Sequence, residues 1–186
     1  MSVCLIFTSN ELSIISRQFI QMLSDMLEQE SRRMKQIEQQ LHSLVCERDD
    51  YQRLLSVPGV GPVVAATVLA SVNDIGSFKN GRQFACWVGL TPTQYASGEL
   101  NRIGKISKRG NPMLRQMLIS YLQNKGARAV INWCNKKQDK LSCWLQKITA
   151  KMHHCKATVA LANKLARIIW VVLAKQDTFN VNKACA

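Results

Sequence analysis

The fold is decided by the stretch Leu54-Leu55-Ser56-Val57-Pro58-Gly59-Val60-Gly61-Pro62, which the segment VVAATVLASV follows directly. Gly59 and Gly61 allow positive φ angles and a close approach of the backbone. Pro62 suits the first turn of a helix, where its missing N–H group costs nothing. The stretch therefore predicts a helix, a tight turn and a second helix.

The same turn is the signature of a helix-hairpin-helix element. Glycine-rich turns between helices expose backbone N–H groups, and the following helix adds its positive N-terminal end. These groups can hold a phosphate without reading a base. The predicted contacts are Pro58, Gly59, Val60 and Gly61. A tight helix connection that binds nothing is the alternative.

Upstream of the turn, residues 12–55 contain no proline or glycine. Apolar residues alternate at steps of three and four, which is typical of a helical seam. The pattern predicts an arm over residues 11–55, formed by one long helix or by two helices in a hairpin. The seam could join two protomers as a coiled coil, or it could be buried within its own domain. The first ten residues are predicted to be irregular. The seam begins with Leu12, Ile15, Phe19, Met22 and Met26.

Downstream of the turn, the pattern remains mainly helical. Ser77 is the predicted cap of the first further helix. Residues 90–112 are predicted to be loop-rich, with room for a short hairpin. We expect residues 56–178 to form one domain and residues 179–186 a tail. The predicted helices span residues 79–89, 113–124, 127–135, 141–151 and 157–175.

Charge divides the chain unevenly. Residues 1–74 contain six Lys and Arg residues and nine Asp and Glu residues. Residues 75–186 contain 19 Lys and Arg residues but only three Asp and Glu residues, which gives them a net charge of +16. Such a region favours a polyanion, because each phosphate that it neutralises releases counterions. Between residues 100 and 138 there is no acid, and a solvated basic loop is the alternative to a phosphate-binding one. The cations that we expect to bind there are Arg102, Lys105, Lys108, Arg109 and Arg115.

Ser97 is the candidate nucleophile. A serine followed by glycine on an exposed turn could attack a phosphodiester, with nearby cations offsetting the charge that develops. Ser-Gly pairs are also common in inert turns. Glu99 could assist proton transfer.

The sequence predicts no metal site. Beyond Asp74 the acids are Glu99, Asp139 and Asp177, which are too scattered to gather around Mg²⁺. His153, His154 and Cys155 are adjacent and would point in different directions on a helix. Seven cysteines without a CxxC pair fit a reducing cytoplasm.

Several motifs occur together within residues 57–119. They are the PGVGP turn, Phe78-Lys79, Gly89-Leu90-x-Pro92, Ser97-Gly98, Ile106-Ser107-Lys108-Arg109-Gly110-Asn111 and Leu114-Arg115. With these motifs the segment resembles the C-terminal domain of the insertion-sequence one-ten family of transposases, which includes Piv-type invertases. Later stretches, GARAVI and VALANKLARIIWVVLA, resemble one branch of that family.

The resemblance implies a largely helical domain whose serine becomes joined to DNA during recombination, and that serine maps onto Ser97. It also implies oligomers that share an active site, and a guide RNA that pairs with donor and target DNA. The full set of expected DNA contacts adds Lys79, Arg82 and Asn111 to the turn and to the cations named above.

Family members also carry a ribonuclease H-like domain with an acidic tetrad for Mg²⁺, and this sequence offers no such tetrad. We therefore expect no cofactor in this chain, Mg²⁺ only in that separate domain, and a chain truncated at its N-terminus that works with a full-length transposase. The rival hypothesis is a non-catalytic DNA-binding or multimerisation remnant that modulates such an enzyme. The expected location is the bacterial cytoplasm at the nucleoid, without a membrane partner, since Lys164 and Arg167 interrupt the apolar stretch near the end.

Overall fold

A computed structural model of the chain describes residues 13–97, 100–121 and 139–180. The predicted irregular start, the predicted helix at 127–135 and residues 181–186 lie outside these ranges. The described part is mainly helical, which confirms the predicted fold class. Its elements are α1 (Ile14–Val45), α2 (Asp49–Leu55), α3 (Pro62–Ser71), a 3₁₀ turn (Ile75–Ser77), α4 (Gly81–Val88), β1 (Pro92–Ser97), β2 (Leu100–Ile106), α5 (Pro112–Gln116), a π-helical turn (Met117–Tyr121), α6 (Lys140–Lys151) and α7 (His154–Lys175).

The chain forms two units, residues 1–44 and residues 45–186. In the first unit α1 is a single helix of 32 residues, and none of its residues is buried. Its apolar seam is exposed, from Ile15 at 78% to Met26 at 55%. Two surface ion pairs lie on the same helix, Arg32 with Glu28 and Arg33 with Glu30.

The second unit begins earlier than the predicted domain boundary at residue 56. Tyr51 and Leu54 on α2 are fully buried in its core, so α2 belongs to this unit. The apolar rhythm of the sequence continues across the break at residues 46–48, which is why the pattern gave no boundary there. Burial raises the pKa of the Tyr51 phenol above its usual range, and the charge that Cys46 can carry adds to the shift.

The turn between α2 and α3 forms where it was predicted. The N–H group of Val60 donates to the carbonyl of Val57 over 3.0 Å, and Gly59 has a φ of +87°. Both valine side chains are buried and fix the turn to the core. The expectation for Gly61 is wrong, because its φ is −93°; it caps α3 in an extended conformation, and Pro62 starts the helix as predicted.

The core of this unit is built around α7. Ten of its 22 residues are buried, and it contacts α2, α4 and α6. By length and composition α7 could cross a membrane, but 56% of its most apolar window is buried, as in a core helix. It begins at His154, three residues before the predicted start, and His153 caps it by accepting from the N–H group of Cys155.

Helix α4 differs from the prediction at its start. Asn80, not Ser77, is the cap, and its side chain accepts from the N–H group of Gln83 at 2.9 Å. The Gln83 side chain in turn accepts from the N–H group of Lys79 at 2.7 Å. These two bonds satisfy the N–H groups of Gln83 and Lys79. The Ser77 hydroxyl instead donates to the backbone carbonyl of Asp74.

Candidate nucleic-acid interface

The predicted loop-rich segment contains a β-hairpin. β1 and β2 are antiparallel, and the pair Ser97 with Leu100 lies next to the hairpin tip. Ser97 is exposed. Gly98 and Glu99 lie outside the described residues, so the role of Glu99 stays a prediction. The candidate nucleophile is thus the exposed last residue of β1.

A bulge shapes the hairpin towards its base. Gln94 pairs with Ile103 and Pro92 with Ile106, which leaves two β2 residues, Gly104 and Lys105, opposite Thr93. The Thr93 hydroxyl donates to the carbonyl of Lys105 over 3.0 Å. A Cβ atom at Gly104 would lie 2.5 Å from that hydroxyl. A side chain at this position would have to displace the Thr93 hydroxyl. The bulge increases the local twist of the strand that carries the cations.

The pairing places the cations at different distances from Ser97. Arg102 pairs with Tyr95, two residues from Ser97, or about 7 Å along the strand. Lys105 lies opposite Thr93, four residues away, or about 14 Å. Both side chains are exposed. Arg102 is therefore the cation best placed to reach a phosphate at Ser97.

Residues 107–111 anchor the hairpin to the end of α4. The N–H group of Ser107 donates to Thr91, that of Lys108 to Gly89, and that of Asn111 to Trp87, over 2.8, 3.2 and 3.3 Å. Lys108 has a φ of +55°, an uncommon conformation for a residue with a side chain. The anchored segment presents Lys108 and Arg109 to solvent.

Two glycines make this anchoring possible. Gly110 has a φ of +117°, and a Cβ atom there would overlap the carbonyl of Trp87. Gly89 has a φ of +80°, and a Cβ atom there would overlap the carbonyl of Arg109. The segment and the helix end therefore meet backbone to backbone.

Two predicted DNA contacts serve this anchor directly. The half-buried Arg115 donates from Nη1 to the carbonyl of Val88 over 3.2 Å. The Asn111 side chain caps α5 by accepting from the N–H group of Leu114 at 3.1 Å. Contact of either residue with DNA stays a prediction.

The turn at Pro58–Gly61 offers backbone groups rather than side chains. The side chain of Val60 is buried, and its N–H group is used inside the turn. Gly61 has no side chain with which to cap α3. The first intrahelical bond is donated by Ala65, so the N–H group of the partly exposed Val63 has no partner within the helix, whereas Val64 is buried.

A basic cleft lies in the second unit, and it was not predicted from the sequence. It has a volume of about 630 Å³, and the start of α4, the second half of α7 and residues 177–180 line it. The sequence did contain a signal for it, since residues 164, 167, 171 and 175 share one face of a helix. Arg82 was predicted, but Lys164, Arg167 and Lys175 were not.

The described residues do not fit a magnesium site. No group of three or more His, Cys, Asp or Glu that could hold a metal ion occurs within residues 13–97, 100–121 and 139–180. The described acids on α1 and α2 partly serve ion pairs with arginine. No chemical step through a metal is therefore assigned to these residues.

Residues 51–141 match the model of the family described as "Transposase IS116/IS110/IS902 family". The chain belongs to this transposase family. The matched segment of the chain runs from α2 through the turn, the hairpin and its anchor to the start of α6. Both predicted phosphate-binding features therefore lie within the family's own segment.

Individual relatives extend the match. The chain is 42% identical over 157 residues to a "Probable family 20 transposase" of Pseudomonas aeruginosa, covering 84% of this chain and 45% of that protein. It is 43% identical over 142 residues to the transposase for insertion sequence element IS1111A of Coxiella burnetii, covering 76% and 38%. A third relative, the transposase for IS1328 of Yersinia enterocolitica, is 31% identical over 147 residues, covering 79% and 42%. The chain thus spans less than half the length of these relatives.

Replacing Gly110 by alanine tests the anchor. We expect Gly110→Ala to lower the free energy of unfolding by about 1–3 kcal/mol, because the new Cβ atom overlaps a carbonyl and the positive φ is strained. Thermal or urea unfolding measures the change. Gly76→Ala is the matched control, since Gly76 is exposed and a Cβ atom there meets only the Asp74 side chain, at 3.1 Å. Equal stability of the two variants would contradict the described anchor.

Proposed function

We propose that this chain is the DNA-handling part of an insertion-sequence transposase, in which the hairpin brings Ser97 to a DNA phosphodiester. The observation that supports this most is the position of Ser97. It is exposed at the tip of a basic hairpin whose base is fixed to the helical core. A nucleophile that must enter a DNA groove or meet a backbone needs such a projecting and anchored support.

The proposed step is a transesterification. The Ser97 oxygen attacks phosphorus and forms a P–O ester, while the P–O bond to the departing sugar oxygen breaks. The serine proton passes to a general base, for which Glu99 is the nearest candidate along the chain, and the departing oxygen takes up a proton. Arg102 offsets the charge on the non-bridging oxygens, because arginine can donate two parallel hydrogen bonds to phosphate.

The remaining contacts hold the DNA backbone. The turn at Pro58–Gly61 acts as a helix-hairpin-helix element, in which the N–H groups at the start of α3 face a phosphate. Lys105, Lys108 and Arg109 follow the backbone away from Ser97. These groups recognise phosphate and not bases, so a guide RNA could supply the sequence choice by pairing.

Complete turnover needs more than these residues. The acids and Mg²⁺ that the family resemblance implies would come from outside the described residues, for example from a full-length transposase that acts with this chain in the cytoplasm. The role of this chain would then be to supply the nucleophile and the grip on DNA.

Covalent capture tests the nucleophile. The chain and its Ser97→Ala variant are incubated with junction DNA of the element, with and without full-length transposase, its RNA and Mg²⁺. We expect a protein–DNA adduct that survives denaturation and requires Ser97, because its ester bond is covalent. Ser31→Ala, an exposed serine on α1, is the control and should form the adduct normally. If no mixture gives an adduct while both serine variants bind DNA equally, Ser97 is not the nucleophile.

Salt dependence tests the binding of the DNA backbone. Arg102→Gln and Lys105→Gln should each lower the slope of log Kd against log salt by about 0.9 on duplex DNA, because a chain that neutralises one phosphate fewer releases about one counterion fewer. Arg33→Gln is the control, since it removes the same charge from α1, where Arg33 pairs with Glu30 at 2.9 Å. Equal slopes for the hairpin variants and the control would exclude phosphate binding at these positions.

The exposed seam of α1 favours a second function, multimerisation. A helix of 32 residues with no buried residue leaves its apolar stripe to water. We propose that this stripe pairs with a second copy, or with a full-length transposase, as a coiled coil. The stripe comprises Ile15, Phe19, Met22, Met26, Met34 and Ile37, which are 52 to 78% exposed.

A charge on this seam should separate the copies. We expect the chain to sediment as a dimer or larger assembly and Met22→Glu to raise its dissociation constant by about tenfold or more, because pairing would bury an unpaired carboxylate. Gln39→Glu, at an exposed position on the opposite face of the same helix, should leave the assembly intact. A wild-type chain that stays monomeric at all concentrations would refute the pairing of two copies through α1.

A further inference from the structure

The basic cleft in the second unit lies apart from the hairpin and takes no part in the proposed serine chemistry. One wall is the start of α4, with Arg82, and the opposite wall is the second half of α7. Residues Asp177–Asn180 close one side. The two helices approach closely here, since a Cβ atom at Gly81 would lie 3.0 Å from the carbonyl of Arg167. The walls are therefore fixed by backbone packing.

The rim of the cleft is strongly positive. Arg82, Lys164, Arg167 and Lys175 line it, against one acid, Asp177. None of these four cations forms an ion pair with a described acid. Lys164 lies over the ring of Trp144, with Nζ 4.6 Å from the ring centre, which restricts its movement. The rim thus presents four cations against one acid, which leaves it strongly positive.

The floor of the cleft is apolar. It includes Ile168, Val172, the half-buried Phe179 and Val171, which is 41% exposed. The backbone N–H group of Phe179 donates to the Ser56 hydroxyl over 2.9 Å, which fixes this segment in place. Ser56 lies directly before the turn at residues 57–62, so the floor is tied to the proposed phosphate-binding turn.

We propose that this cleft binds an unpaired polynucleotide strand, with phosphates on the four rim cations and a base on Phe179 and Val171. A cationic rim beside an aromatic surface is the combination that single-strand binding uses. The volume lies within the range of small-ligand sites, so it admits a base that has left its stack. In a duplex the bases are stacked inside the helix, so its phosphates could contact the rim cations but no base could contact the apolar floor. DNA and RNA strands share this chemistry.

Binding of labelled strands to the full chain tests the proposal. Fluorescence anisotropy is measured with oligothymidylate and oligouridylate of about 12 nucleotides and with a duplex of equal length. The double variant Arg167→Gln/Lys175→Gln should weaken single-strand binding by about tenfold or more and lower its salt slope by about 0.7 for each phosphate that is no longer neutralised. The matched control is Arg102→Gln/Lys105→Gln, which removes the same charge from the hairpin and should affect duplex binding more.

The floor is tested separately. Phe179→Leu keeps the side chain apolar but removes the ring, so it should weaken single-strand binding by about fivefold or more without changing the salt slope. Duplex binding should not change. Thermal unfolding identifies any variant that fails to fold, and Val171→Asn then serves as a second floor variant with the same expected result. Comparing the two oligonucleotides shows which sugar the cleft prefers.

Three outcomes would overturn the proposal. The cleft variants could weaken single strands and duplex equally, which would indicate general attraction by charge alone. The floor variants could leave single-strand binding unchanged. An oligoglutamate peptide could displace the strand as well as unlabelled oligothymidylate does, which would indicate an acidic protein segment as the occupant. None of these outcomes depends on whether Ser97 reacts with DNA.

Discussion

The close packing of residues 108–111 against the carboxyl end of α4 is the constraint on which the proposed DNA interface depends. The last carbonyls of a helix have no partner within it. Here the N–H group of Lys108 donates to the carbonyl of Gly89, and that of Asn111 donates to the carbonyl of Trp87. The guanidinium of Arg115 donates to the carbonyl of Val88. Glycine at positions 89 and 110 removes the two Cβ atoms that would prevent the approach. A projecting hairpin of two strands is only marginally stable by itself, so this anchor is what gives Ser97 a fixed support.

Helix α7 connects this anchor to the rest of the second unit. The Asn163 side chain donates to the carbonyl of Leu90 over 3.0 Å, next to the anchor. The Trp170 ring N–H group donates to the carbonyl of Phe78 over 3.2 Å, at the other end of α4. Phe78, Phe84 and Trp87 pack against one another with ring centres 5.2 to 5.8 Å apart. The helix that supports the hairpin base also carries three of the four rim cations of the cleft, so both proposed surfaces depend on its burial.

Local signals in the sequence predicted the features that local chemistry controls. The turn at Pro58–Gly61 and the start of α3 at Pro62 follow from the conformations of glycine and proline, and both were predicted. Features that depend on packing were not predicted. Burial of Tyr51 assigns α2 to the second unit, and no periodicity can show that. The sequence shows that Arg115 and Arg102 are both cations, but it does not show that their surroundings differ. Arg115 donates to a carbonyl at the end of α4, whereas Arg102 is exposed on β2. The cations of α7 can likewise be assigned to one exposed surface only after the structure shows that the apolar face of the helix is buried in the core.

The distribution of charge links the two proposed functions. The described part of the arm before residue 45 carries four Lys and Arg and four Asp and Glu, whereas residues 75–186 carry a net charge of +16. Two arms can therefore approach without net repulsion, but two of the basic segments repel each other. Polyanion binding neutralises part of that charge and releases counterions, which removes much of the repulsion. Pairing through α1 and binding of DNA would then favour one another, although no residue belongs to both surfaces.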